Sequence, residues 1–255
     1  MIQIYNLLLH DPLLNILIFF YQTISFGDLG LAIIFLTILI RLILFPVFHK
    51  SARNQVVMQK LQPEVKKIQE KHKNDRVAQT QATLALYKDN NFKPFSSFFL
   101  LFIQLPVLFA LYRVFSQSLS PDTLSGLYSF ISAPSTINTS FLGLIDLSKS
   151  SIIVVALAAL AQYFQGRLAL PKIKEGHQLS KAEIMSRRMI FIAPFITLFI
   201  FSRFPAALSL YWLVSSLFSV GQQLIINRKL SKDGLGNIRK NNDQLNGLSG
   251  LPSGN

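Results

Sequence analysis

The chain has 255 residues, 51% of them hydrophobic, yet it carries a formal charge of +13. That combination excludes an ordinary soluble domain and points to an integral membrane protein whose cations favour one side or one partner. The sequence has no cysteine, which excludes disulfides, thiolate catalysis, zinc–thiolate sites and a lipid-modified cysteine.

The first ten residues hold no Lys or Arg, which argues against a signal peptide with a basic leading region. Residues 1–27 form an N-terminal region that contains "DPLLNILIFFYQTISFG". Asp11 suits a helix cap and Pro12 a first helical position. The apolar run 13–24 would cover only about 18 Å as a helix, short for a ~30 Å hydrocarbon core. It reads as a helix lying in the outer interface, with a buried or partly re-entrant helix as the competing reading.

Five apolar stretches of near-span length follow, at 28–48, 95–113, 151–169, 189–203 and 206–226. The fold class is therefore an all-α polytopic membrane protein, with residues 28–226 as its core. No internal repeat is visible, so the inverted-repeat logic of many transporters gains no support.

The first span contains "TILIRLILFP", in which Arg41 interrupts the apolar run. A guanidinium near a bilayer centre costs ~2.5–3.5 kcal/mol on insertion scales. Arg41 lies roughly 10 Å of helix below Phe48. Either it snorkels to the interface, or it faces a polar cavity.

Between the first two spans, "QVVMQKLQPEVKKIQEKHKNDRVAQTQATLALYKDNNFKP" is rich in helix formers and free of glycine. It predicts an antiparallel two-helix hairpin over 50–92, with a turn at "KND" (73–75) and Pro63 starting or bending its first arm. A solvated charged loop is the alternative. Residues 49–94 hold ten Lys and Arg, 167–188 six and 228–240 five, against Arg113, Lys149 and Arg203 on the other side. By the positive-inside rule the three rich segments are cytoplasmic, including a second loop at 170–188. The N-terminus is then outside and the C-terminus inside. The stretch 189–203 is the weakest span, interrupted by Pro194. Were it re-entrant, the basic tail would fall on the wrong face. Residues 227–255 read as a flexible basic tail whose start could touch anionic headgroups or RNA.

Enzyme signatures are absent. The four histidines, at 10, 49, 72 and 177, are scattered, and there is no Walker A or GxSxG sequence. The expectation is a non-enzyme with no metal and no cofactor. The spans also lack Asp and Glu apart from Asp28 at a mouth. Polar residues do occur. Gln104 precedes Pro106, Gln162 and Gln165 lie in "ALAQYFQG", and Ser209, Ser216, Ser219 and Gln223 share a stripe of the last span with Trp212. Ordinary small-residue packing could explain the serines, and an interfacial belt the tryptophan. Together with Arg41 they fit a hydrated groove better.

These residues carry a resemblance. "GDLGLAIIFLTILIRLILFPVFHKS", "MQKLQPEVKKIQEKHKND" with "LALYKDNNFKPFSSFFLLFIQLPVLFALYRVF", and "PAALSLYWLVSSLFSVGQQLII" resemble, in order, core segments of the YidC/Oxa/Alb membrane protein insertases. The match runs from about residue 13 to 227. The resemblance implies a five-span core with a groove open to the cytoplasm and lipid and closed to the outside. Its arginine would be Arg41, with Gln162 or Gln165 and Trp212 lining it. The hairpin would receive substrates and contact targeting partners. Two departures are expected: no large extracytoplasmic domain, because only 27 residues precede the first span, and no lipidated cysteine.

The function this implies is insertion and chaperoning of nascent membrane proteins in a bacterial cell membrane, with Arg41 attracting acidic substrate tails. A small anion transporter using Arg41, or a non-translocating assembly factor, are the alternatives. Expected partners are nascent membrane proteins and the lipid bilayer, with the Sec translocon, the signal recognition machinery and the ribosome as further candidates. No sequence-specific nucleic-acid binding is expected. A monomer is expected, since a lipid-open groove needs no second subunit.

Overall fold

A computed structural model describes residues 2–90, 92, 96–116, 126–170 and 181–248. The first residue of the span predicted at 95–113, most of the basic loop predicted at 170–188 and the chain after 248 lie outside them.

The N-terminal segment is helical from Ile2 to Thr23: α1 (Ile2–Tyr5), a π-helical turn (Asn6–His10) and α2 (Asp11–Thr23). Pro12 accounts for the π turn. Proline has no N–H and its ring crowds the carbonyl one turn back, so the helix widens and the Asp11 N–H reaches the Asn6 oxygen. The helix therefore does not start at Asp11, as the sequence suggests. The Asp11 carboxylate instead bonds the His10 ring at 2.9 Å. Over Gln3–Thr23 the segment is long and apolar enough to cross a membrane. One face, with Leu14, Leu17 and Ile18, is buried in the core.

The stretch predicted as one span over 28–48 is broken. Helix α3 (Leu29–Ile43) ends at Leu44, and α4 (Phe45–Lys71) leaves it at an angle of 69°. Pro46 is the cause: it denies the Leu42 carbonyl its helical donor and clashes with it. Helix α4 then runs through Pro63 to pair with α5 (Arg76–Asp89). Between them Asp75 accepts from Val77 N–H (3.0 Å) and Ala78 N–H (2.9 Å), capping α5 at the predicted turn.

Helix α6 (Ser96–Ser116) leads to a segment with a two-stranded antiparallel ribbon, β1 (Ser140–Phe141) and β2 (Ile145–Asp146). Helix α7 (Ile152–Ala169) follows, then α8 (Lys181–Met189), the ten-residue α9 (Ile192–Phe201) and α10 (Ala206–Leu248). The helical backbone of α10 continues past the point where composition predicts a loose tail. No proline interrupts it before Pro252, although its glycines and asparagines are poor helix formers.

Helix α10 is the hub, packed mainly on α7 and then on α3. Small buried residues, Ala158, Ala159 and Ala161 on α7 with Ala206, Ala207 and Ser216 on α10, let the backbones approach closely. Besides Gln3–Thr23, Ile152–Ala169 and Ala206–Lys229 are long and apolar enough to cross a membrane, and the bent α3–α4 pair is a fourth if it forms one span. Large apolar side chains stay exposed along the bundle, among them Phe102, Phe109, Leu157, Phe164, Phe195 and Phe199. In water such a surface would aggregate; against acyl chains it needs no cover.

Residues 126–149 close one end of the bundle. The Ala206 and Ala207 N–H groups at the start of α10 donate to the Lys149 (2.8 Å) and Leu147 (3.1 Å) carbonyls. Asn15, 2% exposed, holds this segment to α2. Its amide donates to the Asp11 (2.7 Å) and Gly126 (2.9 Å) carbonyls and its oxygen accepts from Tyr128 N–H (2.7 Å). Asn15→Leu would leave buried backbone groups unpaired. It is expected to cost about 2–4 kcal/mol of stability, read as a lower thermal midpoint in detergent.

Candidate functional site

The side chains of α3, α4, α6, α7, α9 and α10 enclose a cavity of about 400 Å³ at the end of the bundle opposite residues 126–149. It is lined by six glutamines (Gln55, Gln104, Gln162, Gln165, Gln222 and Gln223), by Ser215, Ser216 and Ser219, and by Trp212, Phe48 and Arg41. Arg41 is the only ionisable side chain among these described lining residues.

Arg41 sits two residues before the end of α3 and is 7% exposed. Its Nε donates to Ser215 Oγ at 2.7 Å, and its Nη2 donates to the same oxygen. The bend at Leu44 brings Phe48 of α4 back under the guanidinium, 4.1 Å from its carbon to the ring centroid. The remaining nitrogen, Nη1, is buried without a hydrogen-bond partner. The cation is thus oriented by one hydroxyl and one ring, with donor capacity to spare and, among the described residues, no acid to neutralise it.

The surrounding polar groups tie the helices together. Gln104 on α6 donates to Tyr211 Oη, and Thr197 on α9 donates to Gln162 Oε1 on α7 (2.5 Å). Near the cavity's outer rim Asn227 donates to the Leu168 carbonyl (2.9 Å), and Gln223 donates to Asn227 Oδ1 (3.1 Å). Trp212 packs on Phe201, ring centroids 5.2 Å apart, and its Nε1–H is buried without a partner.

Of the residues the sequence singles out, Arg41, Gln104, Gln162, Gln165, Trp212, Ser216, Ser219 and Gln223 all come to this cavity. Both glutamines of α7 line it, one turn apart, so the choice between them does not arise. Ser209 does not line it. It is fully buried near the closed start of α10, between the buried Leu208 and Leu210, with its hydroxyl unpartnered. Ser215, the direct partner of Arg41, escapes the sequence reading, as do Gln222, Gln55 and Phe48. A signal for two of them exists: Tyr211, Ser215 and Gln222 form a second polar stripe of α10 beside the one containing Ser216 and Ser219.

The sequence model of the family described as 60Kd inner membrane protein matches residues 19–233, most of the chain and every cavity residue. The chain belongs to this family. The family is the YidC/Oxa/Alb group, and it makes the chain a membrane-integral protein. A family member from Clostridium tetani (strain Massachusetts / E88), Membrane protein insertase YidC, is 37% identical over 203 residues, which cover 80% of this chain and 83% of that protein. Family members of the same name from Pelobacter propionicus and Geobacter sulfurreducens are 32% and 30% identical, covering 85% and 88% of this chain. The match spans only 38% of the length of each of those two.

Proposed function

We infer that this chain inserts nascent membrane proteins into a bacterial cell membrane, using the Arg41 cavity as a polar half-channel open to the cytoplasm and to lipid. The observation that carries this reading is a buried, unneutralised arginine among glutamines and serines, in a family whose relatives are named membrane protein insertases. A short hydrophilic tail entering such a cavity exchanges water for amides and hydroxyls, which lowers its desolvation cost. The glutamines offer both donors and acceptors, so they match peptide groups of any sequence. Arg41 adds attraction for carboxylates, stronger at that depth than in bulk water. The apolar segment of the substrate then partitions into lipid beside the cavity and carries the tail across. The membrane potential assists acidic tails by ~2.3 kcal/mol per charge per 100 mV. No nucleotide or covalent step is required.

In this reading α3, α6, α7, α9 and α10 are five crossings, with the N-terminus outside and the C-terminus inside. Charge supports the orientation: the α4–α5 hairpin and α8 carry dense Lys and Arg, whereas residues 126–148 contain none. The N-terminal helix lies on the outer side against α3. Helix α9 covers about 15 Å, so the bilayer beside it would thin, shortening the substrate's path. The hairpin faces the cytoplasm, where substrates and their targeting machinery arrive.

The test is reconstitution of the purified chain in liposomes, with a single-span substrate bearing a short acidic outward tail. Protease protection of the tail well above that in empty liposomes is the expected result. Protection equal to that in empty liposomes would reject autonomous insertion.

A further inference from the structure

Two turns at the closed end of the bundle break a rule of local sequence. Residues 25–28 and 141–144 each close with an N–H to carbonyl bond of 2.9 Å, Asp28 to Ser25 and Leu144 to Phe141. Both central residues of each have positive φ: Phe26 (53°) with Gly27 (75°), and Leu142 (52°) with Gly143 (70°). That is the pattern of a type I′ turn, whose first central position favours Asn, Asp or Gly. Phe26 and Leu142 are the only non-glycine residues with positive φ among the described ones. A large side chain costs free energy in this conformation, and strain of this kind persists where it serves a purpose.

The two turns are neighbours. Asp28 accepts from Leu31 N–H (2.9 Å) through one carboxylate oxygen and from Leu142 N–H (2.6 Å) through the other. The strained residues do not gain burial: Phe26 is 95% and Leu142 59% exposed, and Leu144, at the end of the second turn, is 84% exposed. The surroundings are poor in charge. Asp146 is the only charged side chain of residues 126–148; one carboxylate oxygen takes the Ser148 N–H and hydroxyl and the Thr139 hydroxyl, and the other pairs with Lys149 Nζ at 3.1 Å. The exposed apolar surface continues into Ile152 and Ile153 at the start of α7.

Depth identifies what covers these tips. Helix α3 is about 22 Å long, well short of a ~30 Å hydrocarbon core. With its Arg41 end at the cavity, the turn that starts α3 sits no higher than the headgroup–acyl boundary of the far leaflet. We propose that Phe26, Leu142 and Leu144 are a lipid anchor, held rigidly by twin turns and inserted among the acyl chains of the leaflet opposite the cavity. The anchor fixes the depth of α3, and with it the depth of Arg41. It does not depend on the insertion reaction.

The natural absence of cysteine makes the test direct. Phe26→Cys, Leu144→Cys and, as a reference on the same segment, Ser135→Cys would each carry an environment-sensitive fluorophore in proteoliposomes. Phospholipid with a nitroxide near the headgroup end of its acyl chain, and iodide on both sides, serve as quenchers. Probes at 26 and 144 should lose most of their emission to nitroxide lipid and little to iodide, with the reverse at 135. Quenching of 26 and 144 by iodide, as at 135, would place the tips in water and overturn the anchor. Quenching by neither would mean that protein covers them, which overturns it equally. Labelled variants must keep the thermal midpoint of the parent. Leu142→Cys serves as the substitute position should one of them fail to.

Discussion

Arg41→Met should abolish most insertion of an acidic-tailed substrate while leaving the fold as stable as before or more so. The two effects separate because the guanidinium contributes charge to the cavity and little to packing. It is 7% exposed, with one nitrogen unpartnered and no acid among the cavity residues. Replacing a buried charge by an apolar side chain of similar volume is often neutral or stabilising by ~1–4 kcal/mol. The opposing term is the Ser215 hydroxyl, which loses its donors at a cost of about 1–3 kcal/mol. Loss of attraction for the substrate carboxylates is expected to lower insertion about tenfold, some 1.4 kcal/mol. A neutral-tailed substrate should change far less. Arg41→Lys should recover part of the loss, since an ammonium keeps the charge but not the planar stack on Phe48. Thermal midpoints in detergent and protease protection in liposomes check both halves. A fall in midpoint together with insertion of every substrate would make Arg41 a structural member, not a receptor.

Gly30→Ala should destabilise the protein by about 1–3 kcal/mol, and a second substitution at Phe141 should reverse most of that. A Cβ on Gly30 would lie 2.1 Å from Cδ2 and 2.4 Å from Cγ of the Phe141 ring. The ring has little room to retreat. Its strand is fixed by the Leu142–Asp28 bond and by the Leu147 carbonyl that caps α10. Gly30→Ala with Phe141→Gly removes the collision, because the Phe141 Cβ itself would lie 2.8 Å from the new methyl. Thermal unfolding of the two single variants and the double variant gives the coupling. An additive result would show that the ring is free to move and that this packing is looser than the geometry requires.

The parts of the structure legible in the sequence are those set by local chemistry. The hairpin followed from helix formers flanking "KND", and Asp75 caps its second arm. The arginine and the polar residues of α6, α7 and α10 stood out because apolar spans make polar atoms conspicuous. What stayed hidden depends on which faces meet. Ser215 differs from Ser216 by one position, about 100° around the helix, and only packing on α3 decides which of them meets Arg41. Ser209 lay on the predicted stripe, but one turn too near the closed end. Pro46 is visible in the sequence, but the apolar residues on both sides of it read as one continuous span. Pro12 has the opposite effect: it reads as a helix start, but a π turn carries the helix past it. The close approach of Gly30 to Phe141 joins residues more than a hundred positions apart, and no local pattern announces it.

The cavity is assembled from distant parts of the chain. Arg41 and its Ser215 partner are separated by 174 residues, and Gln104 and Tyr211 by 107. Helix α10 supplies the partner in both pairs. A ribosome has therefore made four-fifths of the protein before the guanidinium meets the hydroxyl that orients it. Until then each growing chain carries an arginine in the apolar helix α3 with nothing built to receive it. During its own synthesis the protein is a client before it is a machine, and a chain stopped short of α10 has no cavity with which to help itself or anything else.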